Sequence, residues 1–253
     1  MSGDGLRVHF DPQGTLLEEA RACESAIFLH WYGNTNEQLA AEYGPYEPTS
    51  VFVALADGDR VVGTCRLIIP GPVGLKSVVD AGREPWTVDG ARSAAAAGID
   101  LSTTWDVATL GVLPGSANSA TLRVAALYHG VILACQVNNV SAIVAVLDNR
   151  VRRLMASMGL VLHTLPGATS APYLGSPAST PVYAGFANLL DTQRRLAPDA
   201  YRLVTLGVGL DGVSVPARST FRLERPTVID LTAAETSVHD VTLDLTGDVV
   251  PQR

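Results

Sequence analysis

Residues 104–137 join a β-prone segment, a loop of small residues and a long apolar segment, an order that suits the binding of a phosphate group. Residues 105–113 predict a short strand, and residues 114–119 supply the Pro, Gly, Ser and Asn of a loop. Ser119 or Thr121 is the predicted cap of the helix that follows. Backbone N–H groups and the helix dipole attract anions at such a helix start. The stretch leaves two alternatives open, a phosphate or pyrophosphate site and a plain strand-to-helix turn.

Composition restricts the classes of function. The chain has 253 residues, 47% of them hydrophobic, and a net charge of −7. That is enough apolar material for one large domain, and the acidic balance argues against a broad nucleic-acid surface. No basic segment precedes an apolar run, and polar residues break the apolar segment before it reaches about 18 residues. We expect a cytoplasmic protein that binds neither nucleic acid nor a membrane.

The cysteines and histidines predict neither a disulfide framework nor a metal centre. Cys23, Cys65 and Cys135 are an odd number, lie far apart and have apolar neighbours, so we expect buried free thiols. A nucleophilic thiol needs a His or a helix start beside it, which none of the three has in sequence. No His, Cys and Asp cluster has the spacing of metal ligands.

The other segments predict a mixed α/β order. Apolar spacing indicates a helix over residues 15–31, which Gly33-Asn34 should end because both residues accept positive φ. β-branched runs around Asp57-Gly58 indicate a hairpin over residues 50–70. We expect a buried strand at 141–147 and a helix at 150–158 after an Asp148-Asn149 cap.

Three further segments complete these expectations. Residues 160–165 predict one more strand, and residues 166–181, rich in Pro, Gly and Ser, predict a long loop that acts as a lid or pocket wall. A second hairpin is expected within residues 200–232.

An aromatic group falls close together in sequence. Trp31, Tyr32, Tyr43 and Tyr46 are the members. They fit the edge of a core, which we favour, or the wall of a substrate pocket.

Two motifs resemble a known family. Residues 63–71 read GTCRLIIPG and residues 105–112 read WDVATLGV. Together with the element order over residues 5–190, they resemble GNAT-fold acyltransferases, and within these the acyl-homoserine-lactone synthases and N-acyl amino acid synthases. Ala108 and Thr109 stand where that family has Ser and Arg.

The resemblance implies an architecture. It predicts an α/β (α+β) GNAT-like fold at 5–190, with a central mixed sheet flanked by helices. We expect a helix and β-rich extension at 191–232 and an extended tail at 233–253.

The resemblance also implies a reaction and a set of catalytic residues. The activity expected is transfer of an acyl group from an acyl-CoA or acyl-carrier-protein thioester to the amine of a small molecule. A backbone N–H near Val112 or Leu113 would stabilise the oxyanion, and Asp106 would be the base or the amine anchor. An alternative for Asp106 is an ion pair with Arg66 on the adjacent strand, which would orient the substrate. The fold often carries a Tyr as general acid in the helix before Gly159, but Met155 falls nearest to that position here. Tyr128, His129, Tyr173 and water are the candidates that remain for this role.

Donor binding is expected at the loop and at the helix starts. The residues that the resemblance assigns to the thioester donor are Leu113, Gly115, Ser116, Asn118, Ser119, Arg123 and Arg150. The basic run of Arg150, Arg152 and Arg153 is either a solvated face or a docking patch for an acidic carrier protein or the 3′-phosphate of CoA. A GNAT-fold binding or regulatory protein without catalysis, and a relative with other thioester chemistry such as decarboxylation, stay open as alternatives.

Overall fold

A mixed sheet of nine strands forms the centre of the molecule. The computed structural model describes residues 5–115 and 117–224. The strands are β1 Leu6–Phe10, β2 Ser50–Asp57, β3 Arg60–Ile68, β4 Thr104–Val112, β5 Ala142–Asp148, β6 His163–Thr164, β7 Ala171–Tyr173, β8 Ser176–Gly185 and β9 Val213–Ser214. Their spatial order is β6-β8-β5-β4-β3-β2-β1-β9, and β7 pairs with β8.

Helices cover both faces of this sheet. They are α1 Thr15–Tyr32, α2 Asn36–Tyr43, α3 Lys76–Ala81, α4 Gly90–Ala96, α5 Ala117–Val137, α6 Asn149–Ser157 and α7 Phe186–Leu196. Short 3-10 segments occupy Gly44–Thr49, Leu101–Thr103 and Arg218–Phe221, a helical turn lies at Pro198–Ala200, and a π-helix lies at Tyr201–Thr205. The helix predicted at residues 15–31 and the hairpin predicted at residues 50–70 are thus present in this order, as α1 and as β2 and β3.

The two faces have different partners because side chains alternate along each strand. Phe52 and Ala54 of β2 pack with Ile27 of α1 on one face. Val51 and Val53 belong to the larger core under α5 on the other face. α1 ends at Gly33, whose φ of 72° and N–H bond to Leu29 O form the predicted glycine stop. The predicted hairpin over residues 50–70 is confirmed as β2 and β3.

Helix α5 begins earlier than the sequence predicts. It starts at Ala117, so Ser119 and Thr121 lie inside the helix and the prediction that one of them is the cap is wrong. Residue 116 lies outside the described residues. The window Ala120–Val137 is long and apolar enough to cross a membrane, which the sequence analysis did not expect, but 61% of it is buried inside the protein. Its packing against β1, β2, β3 and β4 is that of a core helix.

The junction of β4 and β5 is the irregular place in the sheet. These strands run parallel and pair only through Thr104↔Ala142, Trp105↔Ile143 and Asp106↔Val144. Just beyond, β4 carries one extra residue against β3, because Arg66 pairs with Thr109 while Leu67 pairs with Val107. Such a bulge bends the strand. β4 and β5 therefore diverge after Asp106.

The second half of the chain departs from the predicted elements. Residues 166–181 are not one long loop, since β7 and the start of β8 form a hairpin whose turn holds Leu174 and Gly175 at positive φ. Of the strand predicted at 160–165, only β6 is present. The hairpin predicted at 200–232 is wrong for the described part, which forms the π-helix, β9 and a 3-10 turn. The predicted boundary at residue 190 falls inside α7, and the predicted tail at 233–253 lies outside the described residues.

A substitution at Gly130 tests how closely α5 packs on the sheet. A Cβ there would lie 2.8 Å from Val8 Cγ1 and 2.9 Å from Val53 Cγ1. The better helix propensity of Ala is worth about 1 kcal/mol, whereas overpacking costs about 1–3 kcal/mol. We expect Gly130→Ala to lower the free energy of unfolding by up to about 2 kcal/mol in urea titrations.

Gly44→Ala is the matched control for this substitution. A Cβ at Gly44 meets no atom within 4 Å, and its φ is −50°. This variant should be neutral or slightly more stable. Equal stability of both variants would contradict the packing described for α5.

Candidate functional site

The divergence of β4 from β5 leaves a backbone edge of β4 open. Leu113 N–H donates to Val62 O at 2.8 Å, on the β3 side. Because successive N–H groups of a strand point to opposite sides, the N–H of Val112 points toward β5. β5 has moved away at that level, since its pairing with β4 ends at Asp106↔Val144. Of the two residues predicted to stabilise an oxyanion, Val112 therefore directs its N–H toward the gap, whereas the N–H of Leu113 is already bonded to β3.

A cavity of about 460 Å³ occupies the gap between the two strands. Val124 and Tyr128 of α5 line it from one face of the sheet, and Ile27 and Phe28 of α1 line it from the other face. The cavity therefore passes through the sheet at the divergence. The remaining lining from β4 and β5 is mostly apolar, which suits an acyl chain.

Aromatic side chains form the wall on the α1 face. Trp31, Tyr32 and Tyr43 line the cavity, together with Tyr173 from the β7–β8 hairpin. Tyr46 is buried in the core next to them. Trp31, Tyr32 and Tyr43 thus form a pocket wall, which was the alternative interpretation, while Tyr43 and Tyr46 also belong to the core, which was the preferred one. Residues 166–181, although they are not a loop, do supply the predicted pocket wall.

Tyr128 contributes a free hydroxyl to the cavity. Its side chain is 6% exposed and lines the cavity, and no other described residue makes a hydrogen bond to Oη. Burial raises the pKa of this phenol, so it keeps its proton at neutral pH. Two neighbouring hydroxyls are already committed, since Tyr43 donates to Ala108 O and Thr109 donates to Glu24. Tyr128 is therefore a buried donor available to a ligand, and its role as the general acid stays a prediction.

Arg66 is buried in a network that excludes Asp106. Its guanidinium donates to Glu24 at 2.6 and 3.0 Å and to Glu47 at 2.6 Å, and it is 4% exposed. Thr109 joins the network through its hydrogen bond to Glu24 and lies on β4 directly opposite Arg66. The predicted pair between Arg66 and Asp106 is wrong. Arg66 instead ties β3 and β4 to α1.

Asp106 is fully buried and points to α3. Its carboxylate accepts the backbone N–H and the hydroxyl of Ser77, at 2.5 and 2.8 Å, and it does not line the cavity. Burial raises the pKa of Asp106 to about 7, against the lowering effect of Ser77 and Lys76. Its predicted role as base or amine anchor stays a prediction, and the contact that the structure gives it positions the start of α3.

A buried ionic cluster beside the cavity was missed by the sequence analysis. Lys76 Nζ donates to Asp80 at 2.5 Å, to Glu42 at 2.8 Å and to Tyr173 Oη at 2.9 Å. Tyr173 Oη donates in turn to Asp80 at 2.5 Å. Lys76 and Asp80 are the only part that sequence spacing could have indicated, because they are four residues apart on one short helix. The cluster meets the cavity at Tyr173.

The structure describes only some of the residues that were predicted to bind the donor. Leu113 has its N–H committed to Val62, and Gly115 is exposed at the end of β4. Ser116 and the side chains of Asn118 and Ser119 lie outside the described part of the chain. Arg123 pairs with Asp57 at 3.0 Å and does not line the cavity.

Arg150 is the predicted donor residue that reaches the cavity. It lines one end, and its side chain is 62% exposed. There it pairs with Asp148, which also caps α6 and accepts from Ser176. These bonds, with Arg150 first, lower the pKa of Asp148 to about 2. This end of the cavity is therefore polar and charged.

The three cysteines have the predicted state. All are buried and free, and burial raises the pKa of Cys23 and Cys135 to about 12. Within the described residues, no group of three His, Cys, Asp or Glu side chains could hold a metal ion.

Several solved structures with a similar fold are acyl-transferring synthases. No family model matches the chain, and no curated protein matches its sequence. The N-acyl amino acid synthase FeeM from uncultured soil microbes superposes with a TM-score of 0.55 at 13% identity, over 74% of this chain and 93% of that one. BjaI, a CoA-dependent acyl-homoserine lactone synthase seen with SAM and isopentyl-CoA, gives 0.54 at 14% identity, over 91% and 99%. MesI, of the same class, gives 0.50 at 14%, over 83% and 98%.

These likenesses establish the architecture. At such identities the similarity shows the fold alone, and it confirms the expected mixed sheet flanked by helices. The chain has the GNAT-like acyltransferase fold of the N-acyl amino acid and acyl-homoserine lactone synthases.

The raised pKa of Asp106 predicts a stability difference with a definite sign. The folded pKa of about 7 lies above the unfolded value near 3.9, so the folded state binds the proton more tightly. Stability from Asp106 is fully present below about pH 4 and is lost as pH rises through 7. Relative to Asp106→Asn, the wild type should lose about 3–4 kcal/mol across that window, measured by urea unfolding at each pH.

Asp148→Asn is the comparison with the opposite sign. Its folded pKa of about 2 lies below the unfolded value, so Asp148 adds stability above about pH 4 that is lost as pH falls toward 2. An Asp106→Asn difference that does not change with pH would contradict the burial described here.

Proposed function

We propose that the protein is an N-acyltransferase that moves an acyl group from an acyl-CoA or acyl-carrier-protein thioester to the amine of a small molecule, such as an amino acid derivative. The observation that carries the proposal is the apolar cavity that crosses the sheet where β4 leaves β5. Access from both faces lets two substrates meet inside the sheet. The fold shared with the synthases above supports the same reaction class.

The donor is proposed to lie along the open edge of β4. A pantetheine arm carries two amides, which satisfy backbone groups that β5 no longer reaches. The thioester oxygen then meets the N–H of Val112, where a preorganised donor stabilises the charge of the tetrahedral intermediate. The acyl chain occupies the apolar lining, and a volume of about 460 Å³ suits a medium-sized ligand.

Tyr128 is proposed to protonate the leaving thiolate. Helix α5 rises about 1.5 Å per residue, so Tyr128 lies roughly 16 Å along the axis from the helix start at Ala117. An extended pantetheine arm spans a similar distance when its phosphate is at the helix start. The free hydroxyl of Tyr128 is thus at the depth where sulfur leaves.

The acceptor is proposed to enter from the α1 face. Phe28, Trp31 and Tyr43 offer an aromatic wall there, which suits an amine that carries an apolar group. Arg150, exposed at one end of the cavity, is placed to meet an anionic group of the donor or the acceptor. We keep both CoA and an acyl-carrier protein as donors, and a cytoplasmic location stays a prediction.

A catalytically inactive binding or regulatory protein is the alternative. It is favoured by two described carboxylates near the cavity that are poorly suited to act as a base, since Asp106 is enclosed by Ser77 and Asp148 has a pKa of about 2. Such a protein would bind acyl thioesters without releasing thiol in the presence of amines. Thiol release from octanoyl-CoA with an amino acid mixture discriminates the two functions.

Ligand-induced stabilisation tests the cavity assignment. A donor at 100 times its Kd adds about 2.7 kcal/mol to the free energy of unfolding, which for a protein of this size raises Tm by about 5–10 °C. We expect this shift with octanoyl-CoA or octanoyl-phosphopantetheine. Val146→Phe, which places a ring in the cavity lining, should reduce the shift by more than half.

Val73→Phe is the matched control for the Val146 variant. Val73 is 46% exposed and does not line the cavity, so this variant should respond like the wild type. Absence of any shift with both thioesters, or equal shifts in both variants, would contradict the cavity assignment.

A further inference from the structure

Tyr173 is the residue through which the cavity touches the buried ionic cluster. Its ring lines the cavity, and its hydroxyl lies between Lys76 and Asp80. Oη accepts from Lys76 Nζ and donates to Asp80 Oδ2, which leaves one oxygen lone pair for a group in the cavity. Tyr173 is also 97 positions from Lys76 in sequence, so only the fold brings these groups together.

We propose that Tyr173 and Asp80 form the route by which the acceptor ammonium loses its proton. The inference rests on the proposed acyl transfer and names the base of that reaction. The ammonium donates to Tyr173 Oη as Tyr173 passes its own proton to the carboxylate of Asp80. Glu42, whose side chain is 37% exposed, connects the cluster to solvent through Lys76.

The charge around Tyr173 suits a cation. Lys76 balances one of the two carboxylates, Asp80 and Glu42, so one negative charge remains at the cluster. Arg83 is 69% exposed, and its Nη1 lies 3.9 Å from Asp80 Oδ1. Because water screens this long contact, Arg83 does not cancel the charge. The other groups that face Tyr173 or Asp80 are Tyr43, Tyr46, Asp106 and the Trp86 ring, 5.2 Å from Tyr173.

The step balances in protons. Deprotonation frees the nitrogen lone pair, which attacks the thioester carbonyl carbon. The C–S bond then breaks, and the departing sulfur takes a proton from Tyr128. The nitrogen loses a second proton as the amide forms, and this proton restores Tyr128 directly or through water. One proton per turnover leaves through Asp80 to solvent, as the conversion of an ammonium and a thioester to an amide and a thiol requires.

The other carboxylates near the cavity are less suited to this task. Asp106 accepts from Ser77 with both oxygens, and Asp148 is a weak base because its pKa is about 2. Glu24 is linked to the cavity through Thr109, but both of its oxygens bond Arg66 and it is 2% exposed. Among the described carboxylates, Asp80 combines a hydroxyl link to the cavity with an outlet to solvent.

Tyr173→Phe tests the route and keeps the ring in the cavity wall. With octanoyl-CoA and a mixture of the proteinogenic amino acids, we expect kcat/KM for the amines at pH 7 to fall by about 10²-fold. The deficit should shrink to less than about 5-fold near pH 9.5, where more acceptor is already neutral. Transfer to hydroxylamine, a nucleophile that is neutral at pH 7, should change less than about 3-fold. The Tm shift with octanoyl-CoA should match the wild type.

Two further variants complete the experiment. Tyr201→Phe, on the π-helix away from the cavity, controls for loss of a phenol hydroxyl and should keep wild-type rates at every pH. Thr109→Val removes the link to Glu24 and should not reproduce the pH-dependent deficit.

The outcomes separate the proton route from the proposed function. No deficit in Tyr173→Phe, or a deficit equal at all pH values and for hydroxylamine, would overturn the route, as would a pH-dependent deficit in Thr109→Val alone. Wild-type protein that binds octanoyl-CoA but transfers to neither nucleophile would overturn the acyltransferase function and the route together.

Discussion

The parting of β4 from β5 after Asp106 is the constraint on which the rest of this structure depends. A parallel pair inside a sheet normally satisfies its backbone groups along its whole length, and an unpaired edge in apolar surroundings is costly. Here three residue pairs hold the strands together before the gap opens. The open edge at Val112 can therefore form hydrogen bonds with a ligand that has amide groups and a carbonyl group. An acyl-pantetheine thioester has this chemistry.

Buried polar groups fix β4 on the side of the sheet that faces away from the gap. Arg66 and Glu24 bind β3 and β4 to α1, and Thr109 adds a hydroxyl to the same network. Removing one member would leave an uncompensated charge in the core, so the network is expensive to disturb. Thr109 lies opposite Arg66, and its hydroxyl accepts from the Arg66 backbone N–H and donates to Glu24.

Local patterns allowed much of the first half of the fold to be predicted. β-branched runs on both sides of Asp57-Gly58 specified the β2–β3 hairpin, and Gly33 marked the end of α1, because these signals act within a few residues. Residues 166–181 looked like a loop because Pro, Gly and Ser are frequent there. Part of this segment forms strands because β8 pairs with β5, as in Leu147↔Thr180, and β7 pairs with β8.

The site shows the same difference between local and distant contacts. Val112 could be named from the WDVATLGV motif, and Tyr128 was one of the candidates for the general acid. The partners of Asp106 and Tyr173 were not, because Ser77, Lys76 and Asp80 belong to a six-residue helix that only tertiary packing brings to β4 and the β7–β8 hairpin. Predicting them would have required the path of residues 71–103 across the sheet.

Hydrogen–deuterium exchange of the β4 amides with and without octanoyl-CoA tests the central claim most directly. If the donor pairs with the open edge, the amides of Leu110 and Val112 exchange more slowly in the complex, while those of β1 keep their rates. Unchanged exchange along β4 in a protein that has demonstrably bound octanoyl-CoA would contradict the account, because the thioester would then lie somewhere other than between β4 and β5.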